Sequence, residues 1–123
     1  MATPSGPSIQ IFGRADDQPT RAAQRFFRER RATARLVDLR RKAMAAGELR
    51  RFVERLSAPA LADTEGRPWL EAGLAYLRMD GAELAGRLLA DQRLLRLPLV
   101  RCGNRFAAGR DEAAWKAMLE AGG

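Results

Sequence analysis

What this 123-residue chain lacks limits its chemistry before any motif is sought. It has no histidine, and its single cysteine is Cys102. Without histidine no His–Ser, His–Cys or His–Asp catalytic unit can be built, and no Cys/His zinc site can form within one chain. One cysteine excludes an internal disulfide and a CxxC redox pair. No stretch approaches the roughly 20 consecutive apolar residues needed to span a bilayer, so no membrane association is expected. The opening Met-Ala-Thr-Pro-Ser-Gly-Pro has neither the basic nor the apolar region of a signal peptide. The expected setting is the reducing cytoplasm.

What is present is apolar enough, at 46% hydrophobic residues, to bury one core and too short to bury two ordinary ones. A single domain over residues 8–123 is expected, behind a flexible tail at residues 1–7. The net charge of +7 is unevenly placed. From Arg21 to Arg55 there are 12 basic residues against Glu29, Asp38, Glu48 and Glu54, a local +8. Such a block can face nucleic acid or an acidic protein. Arginine outnumbers lysine 20 to 2, however, in a chain rich in Ala, Leu and Gly, which looks like a compositional habit. With no nucleic-acid motif and few aromatics, the sequence does not favour nucleic acid.

Hydrophobic periodicity places the elements. Ser8 to Gly13 alternates as a short strand, and Pro19-Thr20-Arg21 opens a helix to about Arg31 with Ala22, Ala23, Phe26 and Phe27 as its apolar stripe. Arg21, Arg25 and Arg28 fall together on another face. Ala34 to Leu39 is a second strand, and strand–helix–strand units of this kind pair in parallel. A helical insert over about 45–92 follows. Leu49, Phe52, Val53 and Leu56 mark its first helix. Ser57 to Arg67 is a loop or broken helix, and Pro68 to Tyr76 a short helix. A further helix is capped at Asp80, with Leu84, Leu88 and Leu89 as its buried side. Pro98 to Arg101 and Arg105 to Ala108 flank Gly103-Asn104, a hairpin signal. Asp111 caps a last helix carrying Trp115, Met118 and Leu119 on one side.

No other constellation reaches the strength of a site. Asp16 and Asp17 offer a hard cation too few oxygens, so no metal is expected. Gly13-Arg14-Ala15-Asp16 has the wrong spacing for a phosphate loop. Trp69, Tyr76 and Trp115 are packing anchors. Cys102 stands beside a turn with nothing in the chain to activate it, and is expected to be an inert, buried or half-buried thiol.

The order β-α-β, helical insert, β-β-α, with a proline opening the third strand, is similar to the thioredoxin-like arrangement. The local words are more specific. Ile9-Gln10-Ile11-Phe12-Gly13, Thr20-Arg21-Ala22-Ala23 with Arg25-Phe26-Phe27, Val37-Asp38-Leu39 and Gly47-Glu48-Leu49 resemble the arsenate reductase family, including its Spx-type regulators. So do the stretch from Glu65-Gly66 to Gly73-Leu74, Leu94-Leu95-Arg96-Leu97-Pro98-Leu99-Val100, and Gly109 leading to Trp115. The likeness covers nearly all of residues 8–120.

That resemblance implies an α/β, thioredoxin-like fold with a mixed four-stranded sheet, and a site whose chemistry has been lost. In the family a nucleophilic cysteine sits at the N-terminus of the first helix; the matching position here is Asp17. The second cysteine of Spx-type members falls on Thr20. Of the three family arginines, one precedes the strand-three proline, where this chain has Leu97. Another falls near Asp63-Thr64, and the third near Arg110 without a firm alignment. Pro98 is implied to keep a cis peptide. Arg21 and Arg96 remain as a weak anion site. No catalytic residue and no cofactor are expected. The leading reading is an interaction or regulatory module without thiol chemistry. Its implied partner is a protein such as RNA polymerase, engaged through the carboxy-terminal domain of the polymerase's α chain. The alternatives are an arsenate or glutathione-linked reductase, working with glutathione and glutaredoxin, and a basic nucleic-acid-binding protein.

Overall fold

The computed structural model describes residues 8–122, so the tail expected at 1–7 lies outside the described residues. The elements are β1 (Ser8–Gly13), α1 (Gln18–Glu29), β2 (Thr33–Asp38), α2 (Ala46–Leu56), α3 (Ala58–Leu61), α4 (Arg67–Glu71), α5 (Gly81–Ala90), β3 (Leu99–Cys102), β4 (Arg105–Ala108) and α6 (Glu112–Gly122), with 3₁₀ turns at Leu74–Tyr76 and Gln92–Leu94. They fall into two compact units. One takes the chain up to Lys42 and resumes at Leu97; the other is Ala43–Arg96.

The first unit is built on a four-stranded mixed sheet of order β2-β1-β3-β4. β1 pairs in parallel with β2, while β3 joins the other side of β1 antiparallel and carries β4 as a hairpin. Side chains alternate across a strand, so register decides what shares a face. Ile9 pairs with Ala34, Ile11 with both Leu36 and Val100, and Val100 with Ala107. These residues therefore line one face. Ala23, Phe26 and Phe27 of α1 and Trp115 and Met118 of α6 pack onto it as a single core. The rings of Phe26 and Phe27 meet edge to face at 5.3 Å, and Phe26 meets Trp115 at 5.4 Å, the geometry aromatic quadrupoles favour. The Trp115 indole N–H is buried there without an acceptor among the described residues.

Small departures from the expected boundaries have local causes. α1 stops at Glu29 rather than Arg31 because Arg31 takes a left-handed conformation, φ +57°. β2 runs Thr33–Asp38, one residue ahead of the expected Ala34–Leu39. The hairpin turns at Gly103, φ +60°, as the glycine of a tight primed turn permits. The Leu97–Pro98 bond is cis.

In the second unit α2 buries Leu49 and Phe52. The segment after Ser57 is a broken helix: α3 lasts one turn before Ala62 bridges to Leu95. Gln92 ties the unit's two ends together. Its Oε1 accepts from the Met44 N–H at 2.7 Å, and its Nε2 donates to the Met44 carbonyl at 2.9 Å. Asp80 caps α5 by accepting from the Glu83 N–H at 2.8 Å. Two packing expectations are corrected. Leu84 and Leu88 are buried, but Leu89 is 40% exposed: one residue beyond Leu88 turns about 100° around the helix, off the buried line. Tyr76 is 91% exposed and anchors nothing. The helix expected to carry it inward breaks at Gly73, φ +71°, and continues as a 3₁₀ turn. Trp69 and Trp115 are buried, as packing anchors should be.

Candidate functional site

The loop between β1 and α1 is built around Thr20, the one buried polar residue among the described residues. Asp17 is extended at φ −87° and ψ 128°, so its carboxylate can turn back over the first helical turn. Its Oδ2 accepts the Thr20 N–H at 3.0 Å and the Thr20 hydroxyl at 2.7 Å. The Thr20 Oγ1 in turn accepts the Arg14 N–H at 3.4 Å. One fully buried hydroxyl thereby joins the end of β1 to the start of α1. The approach is close: a Cβ on Gly13 would lie 2.4 Å from Thr20 Oγ1. Only glycine fits there without displacing the threonine.

Asp17 is thus an N-cap with its charge beside the positive end of the helix. Asp16, its neighbour, is exposed, 3.2 Å from Arg14 Nε and 3.5 Å from Arg40. Arg40 also meets Asp38 at 3.3 Å, and this hydrogen bond holds the Asp38 carboxyl below its ordinary value. Among the described residues no group of three or more metal-ligating side chains comes together.

The other positions singled out from the sequence lie on several elements. Arg21 is exposed on α1 in the first unit, whereas Arg96 is exposed at the end of the second. Leu97 is half-buried and leads through the cis bond to buried Pro98. Cys102 ends β3. Because Gln10 pairs with Arg101, Cys102 lies level with the Ser8 end of β1, about 13 Å of strand away from Gly13. The thiol is half-buried, and burial raises its pKa against a smaller opposing effect of Arg105. A protonated thiol at neutral pH is a poor nucleophile.

The burial of Thr20 and its clasp on Gly13 are not evident from hydrophobic patterning. The available signal is a glycine ending a strand, followed by Asp-x-x-Thr at a helix start.

A parallel strand–helix–strand unit, extended by an antiparallel hairpin behind a cis-proline and covered by two helices on one face, defines a thioredoxin-like α/β domain. Residues 19–118 match the ArsC family, and the chain belongs to that family. Solved structures agree in fold. An arsenate reductase from Vibrio cholerae superposes with a TM-score of 0.78 at 16% identity, covering 91% of this chain and 98% of that one. An ArsC family related protein from Bacteroides fragilis gives 0.81 at 16% identity, covering 89% and 96%. An arsenate reductase (ArsC) related protein from Brucella melitensis gives 0.68 at 17% identity, covering 94% and 97%. Identities this low carry the fold and no more. No curated protein matches the sequence.

Proposed function

We propose that this ArsC-family chain has lost thiol reductase chemistry and works as an interaction or regulatory module. The supporting observation is the state of Asp17. At the helix start where the family resemblance expects a nucleophilic cysteine, a carboxylate is engaged in capping through Oδ2. A carboxylate cannot form an arsenic–sulfur bond or a mixed disulfide, and its charge repels an arriving oxyanion. The remaining thiol is at the far end of β3, and burial shifts its pKa further from the thiolate form.

The exposed arginines Arg21, Arg25 and Arg28 follow one line along α1 and offer a surface for an acidic partner. Resemblance to the Spx-type regulators makes RNA polymerase, through the carboxy-terminal domain of its α chain, the first partner to try. Binding is expected to weaken as salt rises and to weaken further in Arg25→Glu.

Incubation with arsenate, glutathione and glutaredoxin tests the loss of chemistry. No arsenate reduction is expected. Turnover that disappears in Cys102→Ser would instead make the chain a reductase. Asp17→Cys supplies the complementary test: a thiol on this helix N-terminus should alkylate at pH 7 well ahead of Cys102. If both alkylate equally slowly, the position has no capacity to activate a thiol and the reading of Asp17 as the displaced active site is wrong.

A further inference from the structure

The other end of α1 carries a feature that the loss of thiol chemistry neither requires nor explains. α1 closes with a Schellman arrangement: the Ala32 N–H donates to the Phe27 carbonyl at 2.9 Å and the Arg31 N–H to the Arg28 carbonyl at 3.0 Å. That motif places one residue in the left-handed region, where glycine is the usual occupant because a Cβ is strained there. Here the residue is Arg31, at φ +57°. A long charged side chain stands where backbone conformation favours none.

Arg31 is also where a cavity opens. Gln24, Arg28, Arg31 and Thr33, with Ala32 and Ala34, line an open concavity of about 560 Å³ within the first unit. Two arginines, a threonine and a glutamine are among its lining residues, and no acidic residue is. None of these four side chains has a hydrogen-bond or ion-pair partner among the described residues. The contrast with nearby Arg30 is direct: its guanidinium lies 3.6 Å from the centre of the Phe26 ring and donates to the Phe26 carbonyl at 3.1 Å. Arg30 is engaged in holding the helix end, whereas Arg28 and Arg31 are free to hold something else.

We propose that this cavity binds a phosphoryl group carried by a small molecule, with Arg28 and Arg31 as the charged clamp and Thr33 and Gln24 as neutral donors. Planar guanidinium forks match phosphate oxygens in pairs, and the hydroxyl and amide supply donors of the kind that complete such a shell. The concavity is open to solvent, so the group that bears the phosphate can extend outward from it. The site lies about 18 Å along α1 from the Asp17 cap, so it is separate from the family's thiol position.

Arg31→Gly is the decisive variant, because glycine suits the left-handed position and should leave thermal stability equal or higher while removing the guanidinium. Titration calorimetry at low salt would follow inorganic phosphate and adenosine monophosphate binding to the parent chain, Arg31→Gly and Arg28→Gln. The expected result is saturable binding, tighter for the nucleotide than for phosphate, weakened about tenfold or more in each variant. Arg31→Lys, which keeps the charge without the planar fork, should fall between the parent and Arg31→Gly. Binding of phosphate as tight as of the nucleotide would still support the clamp and make the free anion its ligand. No saturable binding of either probe would overturn the proposal, as would equal binding by the parent and Arg31→Gly. So would a response only to duplex DNA that Arg31→Gly leaves unchanged, since that is the behaviour of a diffuse basic surface.

Discussion

At the scale of single residues, the loop before α1 is held by an arrangement in which each member fixes another. Gly13 leaves the space that Thr20 fills, Thr20 satisfies the Arg14 N–H, and Asp17 accepts both of Thr20's donors. Thr20→Val keeps the shape but removes the hydroxyl, leaving the part-buried Arg14 N–H and a carboxylate oxygen each one partner short. Its expected cost is about 1–3 kcal/mol, readable as a lower urea midpoint at unchanged slope. Gly13→Ala should cost more than a usual glycine replacement, because its Cβ cannot coexist with Thr20 Oγ1 in place. Combining Gly13→Ala with Thr20→Ser should recover part of that loss, since Thr20 Cγ2 is the second atom in the way, at 2.6 Å. Asp17 is recognisable as an N-cap from its place before Pro19-Thr20. The tie through Thr20 is not, because helix periodicity marks apolar side chains and says nothing about a polar one buried by a neighbour's missing Cβ.

At the scale of elements, periodicity locates what has a clean stripe and fails where two signals overlap. β1, the hairpin and α6 follow their patterns closely, since alternation, a glycine turn and an aspartate cap each point one way. The end of α1 does not, because nothing in Arg30-Arg31 announces a left-handed residue that glycine would normally take. α5 shows the other failure. Leu84, Leu88 and Leu89 form an apolar run, yet only the first two lie on its buried line. The difference is measurable. Leu88→Ala removes a fully buried side chain and is expected to destabilise by about 2–5 kcal/mol. Leu89→Ser alters a largely solvated position and should stay within about 0.5 kcal/mol. Equal losses in the two variants, by chemical denaturation, would mean that Leu89 is covered by something in solution.

At the scale of the whole molecule, the +7 charge acts on stability as well as on partners. The arginine–aspartate contacts at Asp16, Asp38 and Asp91 are local and exposed on at least one side, and such pairs contribute little. Against them stand the exposed arginines along α1, which repel one another in a chain with 22 basic and 15 acidic residues. Salt screens repulsion among exposed charges as readily as it screens exposed pairs. Raising sodium chloride from about 50 mM to about 500 mM should therefore raise the thermal midpoint, where a chain governed by its surface ion pairs would show a fall. Acid should act in the opposite direction. Arg40 depresses the Asp38 pKa and Arg93 depresses that of Asp91, chiefly through side-chain hydrogen bonds, from an ordinary value of 3.8. A carboxylate with a lowered folded-state pKa contributes its full stabilisation above the unfolded value and loses it as pH falls through the folded one. Stability should thus hold down to about pH 5 and decline below about pH 4, as these pairs are protonated away and the net positive charge grows. Asp38→Asn and Asp91→Asn together should leave the salt response in place and remove only a small part of the acid decline, because exposed pairs contribute little while the growing positive charge belongs to the whole surface.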